Sequence, residues 1–314
     1  MVIDIFECAR LIREHDEFTV LSHEHPDGDT LGCAYALCAA LKKLGKKREF
    51  KCCDEVPKDF YYLSDGFEND AVNNPYIVSV DVADVQLLGS LAQEYGTRVD
   101  LCIDHHGSNS YYAANTFVEE RAAACEIIYE LVKELGVEPD GYIRDAVYTG
   151  ISTDTGCFRY PNTTSNTFRV ASELYEKGCS SKLINKLMFE TKTRSFLKLQ
   201  ELALKTLEYH FDGRCAIITI TNEMYESSGS DEHECYPITA LPRQIEGVLV
   251  GLVIKQKENG TYGASVRTEG DIDASAICAQ LGGGGHRGAA GCRFESYESG
   301  KKQLLEVIKN ALDG

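Results

Sequence analysis

The sequence predicts an α/β fold, a mostly parallel sheet with helices on both faces, followed by a smaller α+β domain. Through the first half, short apolar or β-branched runs alternate with stretches of helical spacing, the order that βαβ units require. After about residue 211 the texture changes to longer strand-like runs, two of them joined by an Asn259-Gly260 hairpin signal. The expected organisation is a first domain over 1–192, a connector helix over 193–211 and a second domain over 212–314.

The N-terminal stretch MVIDIFECARLIREHDEF reads as an amphipathic helix. Phe18–Ser22 (FTVLS) is a short strand, and Thr30–Leu44 has apolar residues at helical spacing and stops before Gly45. Arg48–Cys53 reads as a second strand. Tyr76–Val80 (YIVSV) is an apolar strand running into Asp81, Gln86–Tyr95 a helix closed by Gly96, and Val99–Ile103 (VDLCI) a strand running into Asp104. Helices are expected at Ala122–Leu135, Tyr142–Ser152, Ser165–Lys177 and Ser181–Phe189. Thr193–His210 reads as one polar-faced helix, either a connector or an ordinary helix of the first domain. Strands follow at Arg214–Ile220, Val248–Gln256 and Tyr262–Thr268, and helices at Asp273–Leu281 and Lys301–Leu312.

Composition narrows the function classes. The 314 residues are ample for a sizeable core, and 43% hydrophobic with 26% charged content is ordinary for a soluble globular chain. With no apolar run of about 18 residues and no secretion signal, a cytoplasmic location and no membrane partner are expected. Thirteen scattered cysteines, none in a C-x-x-C pair, read as reduced and mostly buried. The net charge of −17 leaves no basic stripe for long duplex nucleic acid. Any polyanionic substrate must be small, or be met by local metal cations.

Three strand predictions end alike. FTVLS runs into His23, Asp27 and Asp29, YIVSV into Asp81, and VDLCI into Asp104-His105-His106. In a parallel sheet the carboxyl ends of the strands share one edge, where ligands bind. Asp154, after a predicted helix, could close the site. Each group alone has a plainer reading: Asp29 before a helix is by itself an N-cap. Together, several carboxylates at one spot would raise one another's pKa unless a divalent cation relieved them. Oxygen and imidazole donors favour Mn²⁺ or Mg²⁺, and the donors exceed what one ion needs, so two ions sharing a carboxylate fit better. Cys33 and Cys102 read as packing, His25 as a bystander, and Gly28 as the flexible point that lets the loop turn.

These motifs, HEHPDGDTLG, SVDVAD, IDHHGSN and ISTDTGCFRY, resemble in order and spacing the four motifs of the DHH phosphoesterase superfamily. GGGGHRGAAG (Gly282–Gly291) resembles the glycine-rich signature of the DHH-associated C-terminal domain, so the resemblance spans nearly the whole chain. Size and architecture are similar to the stand-alone branch acting on nanoRNA and on 3′-phosphoadenosine 5′-phosphate (pAp). The resemblance implies that His23, Asp27 and Asp81 hold one Mn²⁺, and that Asp29, Asp81, His105 and Asp154 hold another, with Mg²⁺ or Co²⁺ as substitutes. Asp81 would then bridge. It implies catalytic roles for Asp81, for His106 facing the scissile phosphate, and for Asp104 orienting the histidines. Two positions depart from the family pattern: Cys33 stands where Ser is usual, and Gly263–Thr268 (GASVRT) replaces Lys-x-Ser-x-Arg-Ser.

Gly283-x-Gly285-x-x-Gly288 formally matches a dinucleotide fingerprint, but it follows a helix and only 26 residues remain after Gly288, too few for a βαβ unit. A loop with no role is one reading. The other is close backbone approach to a phosphate or base. The resemblance supports the second, with Arg267, Gly284, Gly285 and His286 holding substrate across an interdomain cleft, Arg159 and His106 reaching it from the first domain, and Arg287 a lesser candidate. The expected partners are short RNA or DNA oligonucleotides of about two to five nucleotides and pAp, with a homodimer as the expected assembly. The alternative substrate is cyclic di-AMP or its linear product, and the non-enzyme alternative is a nucleotide-binding regulator.

Overall fold

The computed structural model describes residues 1–314 except 233, 258 and 314, and at His286 the backbone only. It divides into two compact units, Met1–Thr191 and Lys192–Gly314.

In the first unit, β1 (Glu17–Leu21), β2 (Lys47–Lys51), β3 (Tyr76–Val80), β4 (Leu101–Asp104) and β5 (Asn115–Val118) form a sheet in the order β2-β1-β3-β4-β5. Every pairing is parallel. β3 and β4 are buried along their whole length, as strands covered on both faces must be. Phe18, Val20, Val78, Val80, Leu101 and Ile103 pack into the larger core with the helices Gly28–Lys43, Ala124–Glu134 and Gly141–Asp154. Leu21, Ile77 and Cys102 pack from the opposite face against Val82, Leu88, Tyr95 and Val99. The edge at β5 is closed by the N-terminus: Ile3 N donates to Thr116 O at 3.0 Å, and Thr116 N to Met1 O at 2.8 Å.

Helix boundaries follow local chemistry. Asp27 caps Gly28–Lys43 by accepting from Asp29 N at 3.0 Å and Thr30 N at 3.2 Å. Gly45, at φ 74°, ends that helix in the left-handed conformation glycine tolerates. Asp140 caps Gly141–Asp154 through Ile143 N at 3.0 Å.

The expected helix over Gln86–Tyr95 is instead a 3₁₀ segment, Val85–Leu91, and a four-residue turn, Ala92–Tyr95, because Gly89 takes φ 57° and breaks the run. Ser181–Phe189 is an α-helix only to Asn185 and continues as a π-helical turn, Lys186–Glu190.

The second unit holds a six-stranded mixed sheet. Its strands are β6 (Glu208–His210), β7 (Cys215–Ile220), β8 (Val250–Gln256), β9 (Tyr262–Thr268), β10 (Gly284–His286) and β11 (Ala289–Phe294), in the order β10-β11-β9-β8-β7-β6. One face packs on the helices Ala274–Ala279 and Tyr297–Asp313 through Leu252, Val266, Ile277, Leu304 and Ile308. The other packs on Phe196, Leu199 and Ala203 of the helix Arg194–Leu204. The single helix expected over Thr193–His210 therefore stops at Leu204. Thr206 Oγ1 bonds both Thr219 N and Thr219 O, at 2.8 and 2.9 Å, and the chain then pairs antiparallel with β7 as β6. That helix packs within the second unit. Between β8 and β9, Gly260 at φ 84° makes the tight turn, Lys257 N bonds Thr261 O at 2.8 Å, and Glu258 of the same turn lies outside the described residues. No helix among the described residues is long and apolar enough to cross a membrane.

Candidate metal centre

β1, β3 and β4 are neighbours, so their carboxyl ends share one edge. The strand order reverses between β1 and β3, the position where open α/β sheets bind ligands. His23 and Asp27 follow β1, Asp81 follows β3, and Asp104 ends β4 before His105 and His106. Thr30 Oγ1 donates to Val80 O at 3.1 Å and ties the start of the Gly28–Lys43 helix to the end of β3. Asp154 is the last residue of its helix rather than a residue beyond it. Asp81 holds φ 57°, a left-handed conformation an aspartate tolerates but rarely adopts, fixed by its N–H to Ile103 O at 2.9 Å.

The side chains converge in two overlapping sets. His23 Nε2 lies 3.7 Å from Asp27 Oδ1 and 3.8 Å from Asp81 Oδ2. His105 Nε2 lies 3.8 Å from Asp29 Oδ2, 3.4 Å from Asp81 Oδ1 and 3.6 Å from Asp154 Oδ2. These separations are too long for hydrogen bonds. They match donors around a common cation, which stand roughly 3–4 Å apart when each bond is about 2.0–2.2 Å. Asp81 Oδ1 and His105 Nε2 are buried without a hydrogen-bond partner, the condition a cation would relieve. The oxygen and imidazole donors therefore fit a divalent metal centre, with Asp81 in both sets.

The histidines are fixed from behind. His23 Nδ1 bonds Glu24 O at 2.7 Å and His105 Nδ1 bonds Arg121 O at 2.9 Å, which leaves Nε2 as the donor nitrogen of each. Asp104 Oδ1 accepts from His105 N and His106 Nδ1, both at 2.8 Å, while Oδ2 accepts from Asn109 Nδ2 at 2.7 Å.

Electrostatics describe a site short of positive charge. Burial, and then the Asp29 carboxylate, push Asp81 up to about 7 despite His105. Burial and the charges of Asp29, Asp27 and Asp81 raise Asp154 well above the usual carboxylate range. Burial works to lower the His23 imidazole, but Asp27 and Asp81 outweigh it and push it up to about 9. Burial likewise opposes charge on His105, but Asp81, Asp29 and Asp154 push it up to about 11. Without a cation, protons on the imidazoles supply the missing charge.

Asp29 is held differently from what its sequence position predicts. Asp27 is the N-cap of the Gly28–Lys43 helix, and Asp29 caps another helix in trans. Its oxygens accept from Ala124 N at 2.6 Å and Cys125 N at 2.9 Å, at the start of Ala124–Glu134. The signal was present in ERAAACEII: the N-cap position of this helix is Ala123, which offers no polar side chain of its own. Cys33 is buried as expected but does more than pack, because its Sγ lies 3.7 Å from Asp29 Oδ1. Gly28 serves close approach, not turning: it has no positive φ, and a Cβ there would lie 2.3 Å from Thr153 Oγ1. His25 is exposed, with Nδ1 3.1 Å from Asp54 Oδ2. Arg159 is exposed, donates from Nε to Gly156 O and lies over the Phe189 ring, 6.0 Å from its centroid.

In the second unit the glycine-rich stretch includes paired strands, Gly284–His286 and Ala289–Phe294, rather than a flexible loop throughout. Gly283 and Gly285 are required by close approach to β11, since a Cβ would lie 2.1 Å from Gly291 O and 2.6 Å from Ala290 Cα respectively. Nothing lies within 4 Å of a Cβ at Gly284. Arg267 pairs with Ala289, and Ala289 with His286, so the three form one row across the sheet. The His286 side chain lies outside those described. Arg287 is engaged with Asp271, Nη2 to Oδ1 at 3.3 Å.

Comparison with known proteins places this geometry. Residues 17–151 match the DHH family N-terminal domain and residues 224–314 the DHHA1 domain. A relative from Thermus thermophilus, named bifunctional oligoribonuclease and PAP phosphatase NrnA, is 32% identical over 302 residues, 93% of this chain and 89% of its own length. The chain belongs to the DHH family. The DHH triplet is Asp104-His105-His106 at the end of β4. The DHH fold recurs in an exopolyphosphatase-related protein from Bacteroides fragilis, at TM-score 0.87 and 20% identity, covering 98% of this chain and 95% of that one. It recurs also in RecJ from Thermus thermophilus in complex with Mn²⁺, at TM-score 0.61 and 15% identity, covering 99% of this chain and 55% of that one.

Proposed function

We propose that this DHH-family protein is a two-metal phosphoesterase. It hydrolyses oligonucleotides of about two to five residues to mononucleotides, and pAp to AMP and phosphate. The observation that carries the reading is two donor groups, His23–Asp27–Asp81 and Asp29–His105–Asp154, joined by Asp81 Oδ1 lying 3.4 Å from His105 Nε2. The named activities of the Thermus relative, over nearly the whole chain, support the substrate class.

His23, Asp27, Asp29, Asp81, His105 and Asp154 would hold two Mn²⁺, with Mg²⁺ or Co²⁺ as substitutes. Bound ions supply activation of a water nucleophile and neutralisation of phosphoryl charge. The chain's own work is positioning and proton handling. Carbonyls of Glu24 and Arg121 fix the two donor imidazoles. Burial opposes charge on His106, but Asp104, hydrogen-bonded at Nδ1, raises its pKa and so favours the charged ring. A cationic His106 stabilises the oxyanion charge that develops as water adds to phosphorus, and it can pass a proton to the departing oxygen.

In the second unit, the Arg267–Ala289–His286 row beside the open backbone at Gly284 suits a terminal phosphate. Arg267 offers a bidentate fork and Gly284 an unshielded peptide. A net charge of −17 favours short substrates over long strands.

The test is a substrate panel: purified protein with Mn²⁺ against pAp, a 5′-phosphorylated dinucleotide, a pentanucleotide, a 20-mer, cyclic di-AMP and pyrophosphate. The dinucleotide and pAp are expected to show the highest initial rates. Preference for the 20-mer or for pyrophosphate would overturn the proposal.

A further inference from the structure

Asp29 divides its two oxygens between two environments. Oδ2 accepts from Ala124 N and faces His105 Nε2, on the side of the carboxylate–imidazole centre. Oδ1 accepts from Cys125 N and lies 3.7 Å from Cys33 Sγ, and the Cys33 and Cys125 sulfurs are 3.5 Å apart. All three residues have 0% exposure. The helix Gly28–Lys43 brings Asp29 and Cys33 to one face by their i, i+4 spacing, and the first turn of Ala124–Glu134 supplies Cys125. Gly32 and Gly150 admit the Cys125 thiol, since a Cβ at either would lie 2.8 or 2.3 Å from its sulfur.

Two thiols and a carboxylate make a different donor set from the centre next door. Around tetrahedral Zn²⁺, with bonds of about 2.3 Å to sulfur and 2.0–2.2 Å to oxygen, two sulfurs stand about 3.8 Å apart and sulfur and oxygen about 3.5 Å. The Cys33–Cys125 sulfur separation of 3.5 Å and the Cys33 Sγ–Asp29 Oδ1 separation of 3.7 Å differ from those by a few tenths of an ångström. Hard cations prefer oxygen and leave a buried thiol protonated, whereas a soft cation displaces the proton and binds the thiolate.

We propose that Asp29, Cys33 and Cys125 form a thiophilic-cation subsite abutting the centre, one that takes Zn²⁺ or Cd²⁺ and not Mn²⁺ or Mg²⁺. A soft ion there engages Asp29 from its Oδ1 side, opposite the oxygen that faces His105. The expected consequence, inhibition by Zn²⁺ or Cd²⁺ that excess Mn²⁺ does not relieve, rests on Asp29 serving the centre. The binding itself does not.

Cd²⁺ titration of the chelator-stripped protein, followed by the sulfur-to-cadmium charge-transfer band in the ultraviolet, tests the subsite apart from activity. The wild-type band is expected to saturate at one Cd²⁺ per chain. It should vanish in Cys33→Ser and in Cys125→Ser, and persist in Asp81→Asn, which damages the centre and leaves the thiols. Absence of the band in the wild type, or its full intensity in both serine variants, would overturn the proposal. A measurement free of variants is zinc-edge X-ray absorption of the wild type at one Zn²⁺ per chain. Two sulfurs at about 2.3 Å are expected, and a shell of nitrogen and oxygen alone would also overturn it.

Discussion

Gly150 tests whether Asp29 serves the ion. It lies inside the Gly141–Asp154 helix, where a Cβ would fall 2.3 Å from Cys125 Sγ and 2.5 Å from Asp29 Oδ1, against an ordinary contact of 3.4 Å or more. In Gly150→Ala the sulfur and the carboxylate must each yield by about 1 Å, in a region where both are fully buried. Overpacking of this kind costs about 1–3 kcal/mol, and the helical preference of alanine returns about 1 kcal/mol. The net loss is therefore about 0–2 kcal/mol, a fall in Tm of no more than roughly 8 °C for a unit of this size. The effect on the ion is larger in proportion, because displacement of a supporting contact weakens metal binding by about 10–100-fold. Calorimetric titration of Mn²⁺ into chelator-stripped wild type and variant, with thermal melts of both, measures the two quantities. A folded variant with wild-type Mn²⁺ affinity would refute the placement of Asp29 at the ion.

Asp81→Ala removes the carboxylate common to both donor sets. It should abolish Mn²⁺-dependent turnover of a dinucleotide by at least about 10³-fold with the fold intact by circular dichroism, and near-normal rates would sink the two-ion reading. Gly283→Ala should destabilise the second unit, since its Cβ would meet Gly291 O at 2.1 Å. Gly284→Ala should leave Tm within about 1 °C yet raise KM several-fold, and an unchanged KM would remove that peptide from the substrate surface. In the metal-free chain, His23 and His105 contribute stability that is complete below their ordinary value of 6.5 and is lost as pH rises through about 9 and 11. Asp81, raised from 3.8 to about 7, removes stability between those values, where the unfolded chain's carboxyl has ionised and the folded one's has not. Metal binding needs these groups deprotonated. The gain in Tm on adding Mn²⁺ should therefore grow from about pH 6 to about pH 9, and a gain that is flat or falls in differential scanning fluorimetry contradicts the assignment.

What the sequence made legible was the set of strands that end in polar groups. An apolar run such as YIVSV is fully buried, and the residue after it must be where the chain meets the ligand edge. Parallel topology then brings Asp81 and Asp104 to the edge that His23 shares, although they are far apart in the chain. Interactions across elements were not legible. The trans cap of Asp29 on Ala124 and Cys125 depends on how two helices dock, and no local periodicity encodes it. β10 looked like a loop because it is glycine-rich, yet Gly285 is there for proximity to β11 and not for flexibility. Likewise β6 carries no strand pattern of its own and is strand because β7 offers an edge. The break at Gly89 shows the opposite: a local conformational freedom that helical spacing concealed.

The donors of the centre run from His23 to Asp154, and the last of them sits at the end of a helix packed on the helix that bears Asp29. At about 5–20 residues per second, a ribosome needs roughly 7–26 s to pass from the first to the last. Throughout that interval the growing chain has strand ends and carboxylates but no complete set of ligands. The set closes only after the whole sheet and its closing helix have left the tunnel, and 160 residues remain to be added when Asp154 joins the chain.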